Sequence, residues 1–491
     1  MNRPAISKSK YLAGLQCPKL LWTHYNAKEL IPPVDAATQA VFDQGHRVGD
    51  LAKQRYPGGI EVEWTKDIAE TVRQSKSLIK AAKPLFEASF MGGGVYARAD
   101  ILEPVGRGRW DLIEVKSTGK VKDVHVPDLA VQRYCYEAAG VPIRRCHLMH
   151  IDTEYVLKGK VDPKRLFVCE DVTDKVAEML PEVTGRVREM QKVIGQKACP
   201  KVDIGPHCSD PYPCPLAGRC WAKVNARRCN VFSLYNLRGQ KKWALYEQGI
   251  VDNAKIGDAI QLSAAQWTQI TAERAGKMHV DKAAVRTFLA RLRHPVQYLD
   301  FETFSTAIPL IQGTSPYQQI PFQFSLHTVA SPGATPRHAG WIWNGQGNPF
   351  AGMLDELRRC LPDGGTVVAY NMSFETGRMK DAAAACPKHR AWVASVIKRM
   401  VDLLGPFRSF HVYHPDQHGS ASIKAVLPAL TGKDYSKLAI SDGGMASQAY
   451  LTAMYAGVPE EQKRQTFKNL EAYCGQDTLG MWDITQALGR F

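Results

Sequence analysis

Two acidic side chains lie two positions apart in the apolar segment YLDFETF, which contains Asp300 and Glu302. Side chains alternate between the two faces of a strand, so residues i and i+2 share a face and these carboxylates must be neighbours. Adjacent carboxylates on an apolar strand repel each other unless a cation or a proton joins them. The segment therefore predicts a metal site, and the alternative is a solvated edge strand.

Two later segments supply further acids. Asn371 and Glu375 lie just after a second strand, in the segment TVVAYNMSFETGRM. Tyr473 and Asp477 lie four residues apart on one helical face, in the segment EAYCGQDTLGMWD. Four acids from two strand regions and a helix can hold two divalent cations, which would bracket the attacking and leaving oxygens of a phosphodiester. Tyr473, one turn before the last acid, is placed to orient the attacking water.

A second constellation lies in the N-terminal half, in GVYARADILEPVGRGRWDLIEVKSTGKV. This stretch predicts two strands joined by a Gly/Arg turn, with Asp100 on the first strand and Glu114 and Lys116 on one face of the second. The acids can bind a divalent cation that activates water, and the lysine can stabilise the phosphorane or help to position the nucleophile. The alternative for Glu114 and Lys116 alone is an ordinary ion pair on a surface strand.

Neighbouring helices carry three more polar candidates. Gln132 and Tyr136 lie at i and i+4 on one helical face, in the segment VQRYCYEA. His46 lies in a polar helix, in the segment FDQGHRVGDLAKQRYP. Taken alone, His46 is more simply explained as a structural hydrogen-bonding residue.

Four of the 12 cysteines stand apart by their context. Cys17 lies in LQCPKLLW, and Cys208, Cys214 and Cys220 lie in HCSDPYPCPLAGRCW, a proline-rich loop that can wrap thiolates around an inorganic centre. A 4Fe–4S cluster, a tetrahedral zinc ion and unligated cysteines all stay open, because softness and ligand number do not separate iron–sulfur from zinc. The following are expected to be ordinary small apolar residues: Cys135, Cys146, Cys169, Cys360, Cys386 and Cys474.

Length and charge restrict what these residues can do. The 491 residues are enough for about two to four domains. An excess of Lys and Arg (63) over Asp and Glu (48) gives a formal net charge of +15, which suits a polyanion, either nucleic acid or an anionic membrane surface. No apolar stretch approaches the ~20 residues of a spanning helix, and the first segment lacks the apolar region of a signal peptide. We expect a cytoplasmic protein that binds nucleic acid and has no disulfide framework.

Periodicity divides the chain into three parts. Residues 1–230 begin with a basic helical segment and continue with strands and a helix (strands near 94–103, 109–116 and 145–151, helix near 127–139). Residues 231–293 predict short amphipathic helices, which suits a helical connector. Residues 294–491 alternate strands such as VQYLDFETF with helices such as FAGMLDELRRCL, which predicts an α/β domain with a mixed sheet.

The C-terminal motifs, over about residues 295–491, resemble those of the DEDD family of 3′→5′ exonucleases, which have a ribonuclease H-like fold. In that family the first motif is D-x-E on the first strand, the second contains N-x-x-F-D, and the third is Y-x-x-x-D or H-x-x-x-D. Asp300 and Glu302 match the first motif, and Tyr473 with Asp477 matches the tyrosine version of the third.

The second motif of that family matches in part. Asn371 and Phe374 fit it, and Glu375 stands where the family usually has Asp. One extra methylene moves the carboxylate by roughly 1.5 Å, which is comparable to the precision that a catalytic geometry requires. Glu375 can bind metal through an altered rotamer, or Asp402 in RMVDLLGPF can take part of its role. The resemblance also implies that Asn371 contacts nucleic acid.

The N-terminal set, over about residues 40–140, resembles the RecB-like branch of the PD-(D/E)XK nucleases. That pattern is a helical His, an Asp on a strand, E-V-K on the next strand and then Q-x-x-x-Y. The resemblance implies that His46 is a metal ligand beside Asp100 and Glu114, and that Gln132 and Tyr136 contact the DNA or support the site.

A subset of RecB-like nucleases carries a 4Fe–4S cluster with one ligand before the nuclease core and three after it. The order of Cys17, Cys208, Cys214 and Cys220 is similar. A link from Cys17 to the later segment would close a loop of nearly two hundred residues and restrict the unfolded state by several kcal/mol.

The whole chain resembles bacterial fusions that join a RecB-like nuclease with an iron–sulfur clasp (1–230), through a helical connector (231–293), to a DEDD-type exonuclease domain (294–491). The resemblance implies a Mg²⁺- or Mn²⁺-dependent DNA nuclease with two active sites, acting as an exonuclease on single strands or ends. The alternatives are an RNA-processing exonuclease and a nucleic-acid-binding scaffold whose C-terminal site is inactive.

Overall fold

The computed structural model describes residues 4–491, which form two units. The first unit contains the described residues up to Ala222 together with Thr306–Gln318, and the second contains Lys223–Ser305 and Gln319–Phe491. The chain therefore leaves the second unit after Ser305, contributes a short segment to the first unit and returns. Residues 231–293, predicted to be a connector, belong to the second unit. The division into three domains stays a prediction.

The first unit is built on one mixed sheet. Its strands are β1 (Ile6–Ser7), β2 (Ile60–Glu61), β3 (Leu85–Gly92), β4 (Val95–Pro104), β5 (Trp110–Lys116), β6 (Ile143–Ile151) and β7 (Phe167–Asp171). Its helices are α1 (Lys8–Gln16), α2 (Pro18–Asn26), α3 (Ala36–Lys53), α4 (Ile68–Leu78), α5 (Val126–Ala138), α6 (Pro163–Leu166), α7 (Thr173–Ile194) and α8 (Ala217–Cys220), and α9 (Ala222–Asn225) lies at the boundary.

The strand order of this sheet is β2-β3-β4-β5-β6-β7, with β1 parallel to β4. Strand β4 runs antiparallel to both of its neighbours, β3 and β5, and α5 connects β5 to the parallel strand β6. The segment WDLIEVK forms β5, and its first five residues are all buried, as in a central strand that is covered on both faces. The order places β4 and β5, which carry the predicted acids, in the middle of the sheet.

Helices cover both faces of the first sheet. Leu129 of α5 and Val183 of α7 belong to one apolar core, whereas Val48 and Ala52 of α3 belong to another. Ala307, from the short returning segment, is buried in this second core. The segment Thr306–Gln318 is therefore an integral part of the first unit.

The second unit is also built on a mixed sheet, formed by β9 (Val296–Phe304), β10 (Ile320–Val329), β11 (Arg337–Ile342), β12 (Thr366–Ala369) and β13 (Met400–Asp402). A separate antiparallel pair is formed by β8 (His279–Val280) and β14 (Val412–Tyr413). Its helices are α10 (Gln240–Glu247), α11 (Ala264–Ala275), α12 (Lys282–Leu289), α13 (Pro349–Cys360), α14 (Ser373–Ala385), α15 (Arg390–Lys398), α16 (Gly405–Arg408), α17 (Ile423–Thr431), α18 (Gly443–Tyr455) and α19 (Glu460–Leu488).

The order of this five-stranded sheet is β11-β10-β9-β12-β13. Strand β9 is antiparallel to β10 and parallel to β12, and β13 is parallel to β12. The 29-residue helix α19 packs on β9 and β10, where Leu470, Met481 and Ile484 are buried. Strand β9, which carries Asp300 and Glu302, is thus the central strand beneath α19.

The prediction of an α/β chain is confirmed. The predicted strands near 94–103, 109–116 and 145–151 and the helix near 127–139 correspond to β4, β5, β6 and α5 within a few residues. Among residues 4–491, no helix has both the length and the apolar character that crossing a membrane requires.

Candidate active sites

Antiparallel pairing of β4 and β5 brings the first predicted acids together. The register sets Ile101 opposite Ile113, so Asp100 and Glu114 occupy neighbouring positions. The backbone N–H of Val115 donates to Asp100 Oδ2 over 2.7 Å, which fixes that carboxylate against β5. Glu114 is buried, with 3% of its surface exposed.

Two lysines surround Glu114 and a further acid, Asp128 of α5. Lys116 Nζ donates to Glu114 Oε1 (2.8 Å) and Asp128 Oδ2 (2.7 Å). Lys8 Nζ donates to both oxygens of Glu114, over 2.9 Å and 3.1 Å. Asp100, Glu114 and Asp128, with Lys8 and Lys116, form what we call the first carboxylate cluster.

Both residues of the predicted Q-x-x-x-Y motif are fully buried beside this cluster. Gln132 Nε2 donates to Glu114 Oε2 (2.7 Å) and to Asp128 Oδ1 (3.2 Å). The Tyr136 hydroxyl donates to the carbonyl of Ala88 and accepts from the N–H of Ala99 at 3.0 Å, so it ties β3 to β4. Their geometry supports the site, and direct contact of either residue with nucleic acid stays a prediction.

Burial and mutual charge set the protonation of the first cluster. Burial, reinforced by the charge of Glu114, raises the pKa of Asp100 to about 7. Burial also acts to raise the pKa of Glu114, but the charges of Lys116 and Lys8 outweigh it, and the net pKa lies well below its usual range. Burial and the charge of Glu114 raise the pKa of Asp128. The lysines therefore hold Glu114 ionised within a set of crowded acids.

His46 lies on α3 as predicted, with an exposed side chain. Among residues 4–491, no hydrogen bond or ion pair joins it to Asp100 or Glu114. The structure does not bring it into the first carboxylate cluster, and its role as a metal ligand stays a prediction.

In the second unit, β9 and α19 bring the other acids together. Asp300 and Glu302 lie on β9, and Cys474 Sγ on α19 is 3.5 Å from Asp300 Oδ2. One ligand atom from each of these three residues lies within 4.8 Å of the others. Asp477, one turn further along α19, accepts a 2.6 Å hydrogen bond at Oδ1 from the Tyr435 hydroxyl.

The acid that departs from the expected pattern also belongs to this group. Glu375 lies in the first turn of α14, only 2% exposed, and its Oε2 has no hydrogen-bond partner. Asp300, Glu302, Glu375 and Asp477 form what we call the second carboxylate cluster.

Asn371 and Asp402 have a different role. The Asp402 Oδ1 atom accepts from the backbone N–H groups of Asn371 and Leu404, each at 3.0 Å. Asn371 has a φ of 73°, a left-handed conformation that asparagine tolerates better than most residues. Asp402 thus fixes the turn between β12 and α14, and the exposed Asn371 side chain accepts from Ser373 Oγ at 2.9 Å.

All four acids of the second cluster have raised pKa values. Burial, with the charge of Asp300, raises the pKa of Glu375 to about 9. Burial and Asp477 raise the pKa of Asp300 far above its ordinary value, and burial with Asp300 does the same for Glu302. Burial raises the pKa of Asp477 to about 6, although the Tyr435 hydrogen bond opposes it. These carboxylates cannot all ionise unless a cation joins them.

One lysine lies near the second cluster. Lys424 Nζ stands over the rings of Tyr473 and Tyr435, 5.3 Å and 5.7 Å from their centroids. Its charge acts to lower the pKa of Asp300, Glu302 and Asp477, but burial outweighs it for all three, together with mutual repulsion for Asp300 and Glu302. Tyr473 itself is buried on the same face of α19 as Asp477.

The four predicted cluster cysteines line one small cavity in the first unit. Cys17 is buried at the end of α1, and Cys208, Cys214 and Cys220 are half-buried free thiols. Lys19 Nζ lies 3.9 Å from Cys220 Sγ, and the Cys214 N–H donates to the Cys208 carbonyl at 2.9 Å. The structure thus brings together thiols that are separated by about 190 residues of sequence.

Several residues of these sites escaped the sequence patterns. Asp128 precedes Gln132 by four residues and shares its helical face, a signal that could have identified it. Cys474 was expected to be an ordinary apolar residue, yet it lies against Asp300. Lys8 and Tyr435 have no local signal, because their partners are 106 and 42 residues away.

Comparison with known proteins finds matches without an assigned activity. Residues 297–422 match a family described as a domain of unknown function, DUF2779. The chain is similar to an uncharacterized protein of Mycoplasma pneumoniae, with 27% identity over 210 residues, covering 39% of this chain and 32% of that protein. It is also similar to an uncharacterized protein of Ureaplasma parvum serovar 3, with 23% identity over 256 residues, covering 46% of this chain and 36% of that protein. The chain spans about a third of the length of these curated relatives.

Proposed function

We propose that the chain is a metal-dependent DNA nuclease with two active sites, one in each unit. The observation that carries this proposal is that each unit gathers buried carboxylates from separate strands and helices into one cluster. Oxygen-rich, crowded carboxylates are the ligands that Mg²⁺ and Mn²⁺ prefer. A net charge of +15 suits a polyanionic substrate.

The positions of the motifs support the two finer assignments. An Asp on β4, E-V-K on β5 and Q-x-x-x-Y on α5 follow the RecB-like PD-(D/E)XK pattern. The second unit follows the DEDD pattern of the ribonuclease H-like fold, with D-x-E on the central strand β9 of a mixed sheet and Y-x-x-x-D on the helix α19. We propose these folds for the first and second units.

In the first site, Asp100 and Glu114 would hold a divalent cation, whose chemistry is to activate water and neutralise charge on the phosphate. Lys116 places an ammonium group beside these acids, where it can stabilise the charge that develops on the phosphoryl oxygens. Gln132 and Tyr136 keep Glu114 and strand β4 in position.

In the second site, Asp300, Glu302, Glu375 and Asp477 would hold the cations. The buried Glu375 Oε2, which has no hydrogen-bond partner, fits such a role, because a buried carboxylate oxygen needs a proton or a cation beside it. Tyr473, one turn before Asp477, is positioned to orient the attacking water.

The cysteine cavity fits an inorganic centre, and we propose a 4Fe–4S cluster in it. A tetrahedral zinc ion with bonds of about 2.3 Å would draw its sulfur atoms within about 4 Å of one another. No three of the cysteine sulfurs in residues 4–491 lie within 4.8 Å of one another. The order of the cysteines, one before the acids of the first carboxylate cluster and three after them, follows the iron–sulfur branch of the RecB-like nucleases and is our reason for proposing the larger centre, whose contribution would be a cross-link between Cys17 and the 208–220 segment.

The test is hydrolysis of end-labelled single-stranded DNA and RNA by anaerobically purified protein, with Mg²⁺, Mn²⁺ or EDTA, together with iron, sulfide and zinc analysis. We expect metal-dependent shortening of DNA and about four irons per chain, as the proposed cluster requires. If the protein cleaves only RNA, RNA replaces DNA as the proposed substrate. If it binds nucleic acid without cleaving it, the nuclease proposal is overturned and a binding scaffold is supported.

A further inference from the structure

Lys8 is held in the first carboxylate cluster by the backbone that precedes it. Ile6 and Ser7 form β1, which pairs with Val95 and Tyr96 of β4, and the Ile6 side chain is fully buried. Lys8 is the first residue of α1 and follows this anchor directly. The Lys8 ammonium group is therefore delivered to Glu114 by a fixed element.

The hydrogen bonds of Glu114 leave its carboxylate with no unused oxygen. Oε1 accepts from Lys8 and Lys116, and Oε2 accepts from Lys8 and Gln132. An ionised carboxylate offers about four lone-pair positions, so these four contacts fill it. A divalent cation can bind Glu114 only if one of the donors leaves.

Lys8 is the donor that can leave most easily. Lys116 is held by a second short bond to Asp128 (2.7 Å), and Gln132 is fully buried. The second contact of Lys8, to Asp128 Oδ1, is 3.7 Å long, and its side chain is 24% exposed. The side chain of Lys116 is equally exposed (24%), so its short bond to Asp128 is what distinguishes it. Lys8 has one strong partner, Glu114, whereas Lys116 has two.

We propose that Lys8 is an internal cation that competes with the divalent metal ion for Glu114. Without metal it neutralises the buried acids and stabilises the first unit; when metal binds, it leaves Glu114 and its ammonium group turns to solvent. This inference rests on the proposed metal-dependent function of the first site. It implies that Lys8 weakens metal binding, because two cations beside one carboxylate repel each other.

The experiment compares Lys8→Met with Lys10→Met, a control on the same helix whose Nζ contacts His24 instead (2.9 Å). Both are made in full-length Asp300→Ala protein, which disables the second site, and Mn²⁺ binding is measured by calorimetry. We expect Lys8→Met to bind Mn²⁺ at least about tenfold more tightly, which corresponds to ~1.4 kcal/mol. In EDTA its melting temperature should be lower than that of the parent, and Mn²⁺ should restore it.

The opposite signs of these two effects distinguish competition from simple loss of structure. If Lys8→Met binds Mn²⁺ no more tightly than the Asp300→Ala parent, the proposed competition between Lys8 and the metal ion is overturned. If the parent binds Mn²⁺ no more tightly than an Asp100→Ala, Glu114→Ala variant of it, the proposed function of the first site fails instead.

A second measurement needs no substitution and stays decisive if Lys8→Met does not fold. Amine-reactive labelling of the wild-type chain, read by mass spectrometry, should show Lys8 more reactive with Mn²⁺ than with EDTA. The reactivity of Lys10 should be unchanged. Lys8 reactivity that stays constant or falls with Mn²⁺ would overturn the proposal.

Discussion

The first and second carboxylate clusters balance their charge in different ways. In the first, Lys8 and Lys116 donate directly to Glu114, whose pKa lies below its usual range. In the second, burial raises the pKa of every acid, and mutual repulsion adds to it for Asp300, Glu302 and Glu375. Lys424 stands over aromatic rings, without an ion pair to any of these acids in residues 4–491.

This difference shows how buried acids can be tolerated before any metal binds. The first cluster carries its own cations, which keep Glu114 ionised in the folded chain although burial raises the pKa of Asp100 and Asp128. The second cluster relies on protons, which a divalent cation must displace. Metal binding should therefore release protons at the second cluster and displace a lysine at the first.

The largest expected effect is on the stability of the first unit, when the proposed cross-link at the Cys17 end of α1 is removed. Lys8 begins α1 and Cys17 follows its last residue, so the first cluster and the proposed inorganic centre would hold opposite ends of one helix. Cys208→Ser should reduce the free energy of unfolding of the first unit by up to about 5 kcal/mol, since a cross-link of about 190 residues is lost. Hydrogen exchange in denaturant, resolved by peptide, measures this for each unit.

Cys169→Ser is the matched control, because Cys169 is an exposed thiol on β7 of the same unit. It should leave exchange in both units unchanged. If Cys208→Ser lowers protection from hydrogen exchange equally in both units, or in neither, the proposed cross-link does not act on the first unit.

A smaller effect is expected from pH on the second cluster. A group whose pKa is raised on folding stabilises the fold at low pH and loses that contribution as pH rises through its folded pKa. Glu375, with a pKa raised to about 9, and the raised Asp300 and Glu302 should therefore make the metal-free protein less stable from pH 6.5 to 8.5. We expect the melting temperature in EDTA to fall by at least ~5 °C, and saturating Mn²⁺ to remove the decline.

Glu375→Gln isolates that contribution, because the amide keeps the shape and does not titrate. Its melting temperature should vary less with pH than that of wild type over the same range. A wild-type slope equal to that of the variant would show that Glu375 is ionised in the metal-free fold.

The smallest effect concerns which metal the second cluster selects. The Cys474 thiol lies 3.5 Å from Asp300 Oδ2, and a sulfur donor favours softer ions over Mg²⁺. Cys474→Ser should weaken Zn²⁺ binding about tenfold and leave Mg²⁺ binding within about twofold, as measured by competition with a fluorescent indicator. Equal losses for both ions would show that the substitution only disturbs α19.

Local patterns predicted most of the secondary structure and the acids on it. The period-two segments around Asp100, Glu114 and Asp300 formed strands, and the i, i+4 pair Tyr473 and Asp477 lies on one helix. These predictions depend only on neighbouring residues, whose periodicity determines the face that a side chain occupies.

Long-range pairing was not predictable in the same way. Lys8 reaches Glu114 only because β1 pairs with β4, and a strand of two residues is too short for a periodic sequence pattern to predict it. The residues 306–318 directly follow β9 but belong to the first unit, where Ala307 is buried. Such contacts depend on tertiary packing and not on periodicity, so no local sequence pattern indicates them.

The central claim is that two separate carboxylate clusters cleave nucleic acid. The most direct test is single-turnover hydrolysis of end-labelled single-stranded DNA with Mn²⁺ by wild type, Lys116→Ala, Asp300→Ala and the double variant. We predict that each single variant keeps the products of the other site, whereas the double variant loses at least ~10²-fold in rate. Cleavage by the double variant at the wild-type rate would contradict the account.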